Sequence, residues 1–95
     1  MRITGQWNTR HVQVDGKLIS SAKSFSVHPH SPDGFAWGYG GSGPAQLALA
    51  LMLLVTDAGT AKRLYQDFKR EYIVELPQAD FELEVDLAAY VRHHG

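Results

Sequence analysis

The sequence predicts a single α+β domain over residues 1–95, in which a small N-terminal antiparallel sheet packs on a buried central helix and a second, amphipathic helix. Two observations support this prediction. Short alternations of apolar and polar residues recur before residue 40, whereas longer apolar and helical periodicities follow it. A chain of 95 residues is long enough for one small domain and too short for two.

The N-terminal sheet is predicted from three alternating segments. Val12 and Val14 precede the dipeptide Asp15-Gly16, which favours a two-residue hairpin turn because both turn residues need positive φ. The segments 24–28 (SFSVH) and 35–39 (FAWGY) alternate in the same way. We therefore expect both of them to be further strands of this sheet.

The central helix is predicted over residues 45–55 (AQLALALMLLV), because Ala, Leu and Met favour helix and β-branched residues are nearly absent. We expect it to end near Gly59 in a left-handed cap. A helix that is apolar all round needs cover on every side. A domain this small has few elements to supply that cover, so we also expect a twofold homodimer.

The second helix is predicted over residues 60–77, with Thr60 as its cap and an end before Pro77. The apolar residues of this segment that we expect to face the core recur at helical spacing. After it, residues 81–85 (FELEV) alternate as a half-exposed strand, and residues 86–94 (DLAAYVRHH) predict a short closing helix capped by Asp86.

Composition excludes several classes of function. The chain has no cysteine, which rules out disulfides, thiolate metal sites and a cysteine nucleophile. Net charge is −1, and no basic stripe appears, which disfavours nucleic-acid binding. The longest apolar run, residues 47–55, is too short to cross a bilayer, and the first residues lack the apolar core of a secretory signal. We expect a soluble cytoplasmic protein.

A glycine-rich turn precedes the central helix. Residues 38–43 match G-x-G-x-x-G, but no second parallel strand follows, as a dinucleotide-binding unit requires. We favour a structural strand-to-helix turn, with Ser42 or Gly43 as the cap and Pro44 in the first helical turn. The alternative is a weak anion site for a phosphate or nucleotide. Its candidate residues are Gly40, Gly41, Ser42 and Gly43.

No catalytic constellation is evident in the sequence. Ser42 lacks the glycine spacing of a nucleophile elbow, and Glu82 and Glu84 lie on a strand face that we expect to be solvated. A metal site is conceivable at His28, His30 and Asp33, although no fourth ligand is evident and a loop that only forms turns is favoured. The sequence argues weakly against an enzyme, and we expect no cofactor.

Two groups of residues could contact a partner protein. Phe35, Trp37 and Tyr39 supply either core or a recognition surface, and packing on the central helix is the favoured use. The second group is an acidic segment without a basic residue before Arg92. The candidate partner-binding residues are thus Trp37, the glycine turn, and the carboxylates Glu75, Asp80, Glu82 and Glu84, within an acidic run that ends at Asp86.

The segments 30–54 (HSPDGFAWGYGGSGPAQLALALMLL) and 64–77 (LYQDFKREYIVELP) resemble a family of small uncharacterised proteins from bacteria and bacteriophages. The resemblance implies no activity, but it implies a setting in phage and mobile-element genomes. Many small acidic proteins in that setting bind another protein, including inhibitors of host defence. The leading hypothesis is thus a non-enzymatic binding module that inhibits a bacterial protein complex, and the alternative is a small-ligand binder at the glycine turn.

Overall fold

A four-stranded antiparallel sheet and four α-helices form the fold in the computed structural model, which describes residues 1–31 and 34–94. This confirms the predicted α+β class, with its C-terminal strand and short closing helix. In chain order the elements are β1 (Arg2–Gly5), β2 (Val12–Val14), β3 (Lys17–Ile19), α1 (Ala22–Val27), α2 (Ser42–Leu53), α3 (Ala58–Phe68), β4 (Phe81–Glu84) and α4 (Leu87–His94).

The sheet has the strand order β3-β2-β1-β4, so the first strand lies in the middle and pairs with the last one. The predicted hairpin joins β2 to β3, and Asp15 and Gly16 have φ of 51° and 82° in its turn. Ile3, Val12 and Val14 point to the helices and are buried. One face of the sheet therefore lies on the core and the other faces solvent.

The two other predicted strands are wrong. Residues 24–28 fall mostly within α1, where the Ser20 hydroxyl accepts the Ala22 N–H at the start of the helix. A five-residue alternation is too short to outweigh such a local hydrogen bond between side chain and backbone. Residues 35–39 form no strand; Trp37 instead donates its Nε1–H to the Ala79 carbonyl at 2.9 Å, and Gly38 turns the chain with φ of 82°.

The central helix is enclosed by its own chain. All residues from Gly43 to Leu53 in α2 are buried, covered by α1, α3, α4 and the π-helical turn Lys69–Ile73 that continues α3. The reason that we gave for a homodimer therefore does not hold, because α2 needs no second copy to cover it. Among the described residues, no helix is both long and apolar enough to span a membrane.

The boundary between α2 and α3 also differs from the prediction. α2 ends at Leu53 with Leu54 as its C-cap, five residues before Gly59, and Gly59 lies in the first turn of α3 instead of closing α2. Asp57, not Thr60, is the cap of α3, since its Oδ1 accepts the Thr60 N–H at 2.8 Å. The cap of α4 is as predicted, with Asp86 Oδ1 accepting the Ala89 N–H at 3.0 Å.

Candidate functional site

Trp37 lies in the core. Its side chain is fully buried, and its ring packs edge-on against Phe81 at 4.8 Å and Trp7 at 5.7 Å between ring centroids. Phe35 is buried as well, whereas Tyr39 is exposed. The aromatic segment is therefore used mainly for packing, which is the favoured one of the two uses weighed from the sequence.

The glycine turn is shaped by close packing. A Cβ atom on Gly43 would lie 2.6 Å from the Ala36 Cβ, so only glycine lets α2 approach this segment. Pro44 occupies the first turn, as predicted, but the cap is Gly41, with extended backbone, and neither Ser42 nor Gly43.

Few donors remain at this turn for an anion. Pro44 has no N–H, and the Ala45 N–H donates to the Gly41 carbonyl at 3.1 Å. Gly43 is buried, which leaves the N–H of Ser42 as the accessible donor of the first turn. This arrangement gives little support to a phosphate site.

The acidic residues are exposed, and most of them make contacts within the chain. Asp80 Oδ1 accepts the Trp7 N–H at 2.7 Å, which fastens the β1–β2 loop. Glu82 lies 2.8 Å from the Arg2 guanidinium, which raises the pKa of Arg2, and Glu84 lies 3.7 Å from the N-terminal amine. Glu75 is exposed in the segment before Pro77. The structure thus gives Asp80, Glu82 and Glu84 local partners.

The side-chain amide of Gln46 is buried and holds the loop that carries His28 and His30, which we call the histidine loop. The rings of His28 and His30 stack at 4.4 Å between centroids, and His30 Nε2 lies 2.6 Å from the Tyr65 hydroxyl. Partial burial lowers the pKa of His30, and His28 and Lys69 lower it further. Stacked rings do not direct both nitrogens at one ion. Within residues 1–31 and 34–94 no three histidines and carboxylates cluster as metal ligands; Asp33 lies outside those residues.

Sequence reasoning missed a surface around β3. An apolar cleft of about 340 Å³ opens between β3, α1 and the end of α2. A more polar cleft of about 370 Å³, which includes Arg10, His11 and Leu18, lies on the other side of Ile19 and Ser20. The apolar cleft is lined by Ile19, Ser20, Ala22, Lys23, Ser24, Ala50, Leu53 and Leu54.

Exposed apolar side chains lie on the three elements that border the apolar cleft, although Leu18 itself lines the polar cleft. Leu18 in β3 is 60% exposed, Phe25 in α1 is 40% exposed, and Leu54 at the end of α2 is 47% exposed. We call these three residues together with the apolar cleft the β3–α1 surface. The hairpin register offered one signal for it, because Leu18 lies opposite the exposed Gln13 and is therefore on the solvent face of the sheet.

The guanidinium of Arg10 borders the polar cleft. It lies 3.4 Å from the Trp7 ring centroid and donates to the Trp7 carbonyl. Arg10 has φ of 61°, a backbone conformation that is uncommon for residues other than glycine. The cation–π contact and the hydrogen bond join two residues of the β1–β2 loop and so stabilise the shape of that loop.

The comparisons with known proteins identify the family. A family of unknown function, DUF6166, matches residues 3–93, which include the two segments that carried the resemblance. No curated protein and no solved structure matches the chain. Since the family match covers nearly the whole sequence, the chain belongs to the family of unknown function DUF6166.

Proposed function

We propose that this protein is a non-enzymatic protein-binding module whose partner docks on the β3–α1 surface. The observation that carries the proposal is the placement of Leu18, Phe25 and Leu54 on the three elements that border one apolar cleft. Single exposed apolar residues are ordinary, but a group of them around a cleft is typical of a protein interaction site.

The polar side chains support a binding role over catalysis. Asp57 and Asp86 cap helices, and Asp80 fastens a loop. His30 is paired with Tyr65 in the histidine loop. These side chains would otherwise be candidates for acid–base catalysis. Their contacts stabilise the fold, and this structural role explains why they are present.

The resemblance to bacterial and phage proteins lets the proposal specify where the protein acts and on what kind of partner. The module acts in the bacterial cytoplasm and binds a protein complex of the host, with an inhibited defence complex as the specific hypothesis. The partner contacts Leu18 at the edge of the sheet and Leu54 at the apolar cleft through apolar residues of its own.

Affinity capture with surface variants tests the proposal. Tagged wild-type protein, Leu18→Asp, Leu54→Asp and the control Tyr39→Asp are exposed to bacterial lysate. Tyr39 is a suitable control because it is 42% exposed and lies outside the β3–α1 surface. Thermal unfolding first establishes that all four proteins are folded.

The expected result is a protein retained by the wild type and by Tyr39→Asp but lost with both leucine variants. Calorimetry with that purified protein is expected to give a Kd at least about tenfold weaker for each leucine variant, since a buried carboxylate at an apolar contact is costly. Equal binding by all four proteins would overturn the proposed surface.

A further inference from the structure

Leu18 presents its backbone hydrogen-bonding groups to the free edge of the sheet. Hydrogen-bonded and non-bonded pairs alternate along an antiparallel ladder. The Asp15 N–H donates to the Arg2 carbonyl at 2.8 Å, so the next bonded pair along β1 and β2 is Thr4 with Gln13. Gln13 thus turns its backbone groups toward β1 and away from its β3 partner, Leu18. Leu18 in turn directs its N–H and C=O outward, where β3 has no neighbouring strand in the described sheet.

The two edges of the sheet differ in how they are protected. The β4 edge carries the exposed carboxylates Glu82 and Glu84, and charged side chains on an edge discourage the addition of another strand. At the β3 edge the central residue is Leu18, with Lys17 beside it. Lys17 also protects the β3 edge, but with one charge against two, so the β3 edge is the less protected of the two.

The apolar cleft lies beside this edge. Side chains of an added strand alternate between the two faces of the sheet. A residue next to the one that pairs with Leu18 points to the same face as Ile19, which lines the cleft. Ala50, Leu53 and Leu54 provide apolar walls there. The cleft can hold one aliphatic or aromatic side chain of such a strand.

Charge at this edge selects an acidic segment. Lys17 lies in β3 and Lys23 lines the apolar cleft, and neither forms an ion pair with another described residue. Asp15, the carboxylate nearest to Lys17 in the sequence, accepts the Arg2 N–H at 2.9 Å and forms no ion pair with either lysine. Carboxylates on the partner segment would be complementary to the two lysines.

The same charges disfavour a second copy of this chain at the edge. Antiparallel self-pairing about Leu18 would place the two Lys17 residues on a diagonal about 7–8 Å apart. Like charges at that distance oppose the pairing.

We infer that β3 binds an extended, acidic segment of a partner protein, which pairs with Leu18 as a fifth strand and inserts an apolar side chain into the apolar cleft. This inference rests on the proposed function and specifies the chemistry of its partner. Main-chain pairing supplies affinity, and the cleft and the two lysines supply selectivity.

Synthetic peptides test the inference directly. The probe is a fluorescein-labelled peptide of alternating Glu and Val with a central Leu. One control peptide has Lys in place of every Glu, and a second carries N-methyl groups on the backbone amides around the Leu, which prevent strand pairing. Fluorescence anisotropy with the full chain is expected to show at least about tenfold weaker binding of both control peptides.

Protein variants test the assigned residues. The double variant K17E/K23E is expected to weaken binding of the Glu peptide at least about tenfold. Its matched control, K62E/R63E, changes the same charge on the exposed side of α3 and is expected to leave the affinity unchanged. In NMR spectra, the amide of Leu18 is expected to shift with the Glu peptide and to exchange more slowly.

Several outcomes would overturn the inference. One is equal binding of the Glu and Lys peptides, and another is equal binding of the N-methylated peptide. A third is a dimer in sedimentation equilibrium that Leu18→Pro dissociates, because the edge would then hold a second copy. If no peptide binds while the captured partner still requires Leu18 and Leu54, strand pairing is wrong and the proposed function stands. If the captured partner binds equally well without Leu18 and Leu54, the inference and the proposed function are both wrong.

Discussion

The buried amide of Gln46 accepts the backbone N–H of His30 at 2.8 Å, across sixteen residues of sequence. The same Oε1 atom accepts the Ser31 N–H at 3.1 Å, and the amide nitrogen donates to the His28 carbonyl at 3.4 Å. Gln46 is thus a buried polar residue among the apolar residues of α2, and it fixes the histidine loop to the core.

Replacing Gln46 by leucine is expected to lower the free energy of unfolding by about 2–4 kcal/mol, because two backbone N–H groups at or near the core lose their acceptor. Urea unfolding followed by circular dichroism measures the change. Gln66→Leu is the control, since Gln66 is a partly buried residue of α3. A Gln46→Leu protein within about 0.5 kcal/mol of the wild type would contradict the role assigned to this amide.

Replacing Gly43 by alanine is expected to destabilise the fold by about 1–3 kcal/mol, because the new Cβ would lie 2.6 Å from the Ala36 Cβ. The cause is steric contact and not strain in φ. Thermal and urea unfolding measure the effect.

A double-mutant cycle separates this contact from other causes. Ala36→Gly removes the opposing methyl group and is expected to recover part of the stability lost in Gly43→Ala. Gly40→Ala is the matched control, because a Cβ there meets nothing within 4 Å. Additive effects of Gly43→Ala and Ala36→Gly would show that the two positions do not touch.

The pKa of His30 is expected to lie below its ordinary value of 6.5, chiefly because of partial burial and further because of His28 and Lys69. Between the two pKa values the unfolded chain binds more protons than the folded one, so stability rises with pH there. The contribution of the neutral His30 ring to the free energy of unfolding is fully present above pH 6.5, and it is lost as the pH falls toward the lowered pKa.

An NMR titration of the histidine ring carbons checks this prediction. His28→Gln is expected to raise the midpoint of His30 toward 6.5, because it removes a neighbouring positive charge at low pH. A His30 midpoint at or above 6.5 in the wild type would contradict the environment described for this ring.

Millimolar phosphate is expected to leave the melting temperature unchanged at constant ionic strength. The glycine turn offers the accessible N–H of Ser42, since Pro44 lacks a donor and Ala45 is already bonded to Gly41. A ligand that bound the folded state would raise the melting temperature through linkage. A rise that disappears in Ser42→Pro would restore the small-ligand hypothesis.

The hairpin, the strand at 81–84 and the helices of the second half could be predicted because each has a local signal. Asp15-Gly16 requires one type of turn, and α2 is a run of strong helix formers. β1 was missed because Ile3 is its sole large apolar residue, so no alternation is visible. Its position depends on pairing with residues about 10 and 80 positions away, and such contacts leave no local pattern.

The candidate site was harder to predict for a similar reason. The exposure of Leu18 depends on register, that of Leu54 on where α2 ends, and that of Phe25 on α1 being a helix and not a strand. Each was decided by tertiary structure. Carboxylates and glycines stand out in a sequence, but here they mostly cap, turn and fasten the chain.

The pairing of β1 with β4 has a consequence for synthesis on the ribosome. Met1 and Val85 exchange backbone hydrogen bonds at 3.0 Å, so the first strand acquires its second neighbour only after the segment 81–85 has left the exit tunnel. Until then the hairpin β2–β3 and the strand β1 can form a three-stranded sheet, whose two edges are β3 and β1. During elongation the nascent chain therefore exposes the backbone groups of β1 that later pair with β4. When β4 pairs with β1, β4 becomes the new edge of the sheet, and this edge is protected by Glu82 and Glu84.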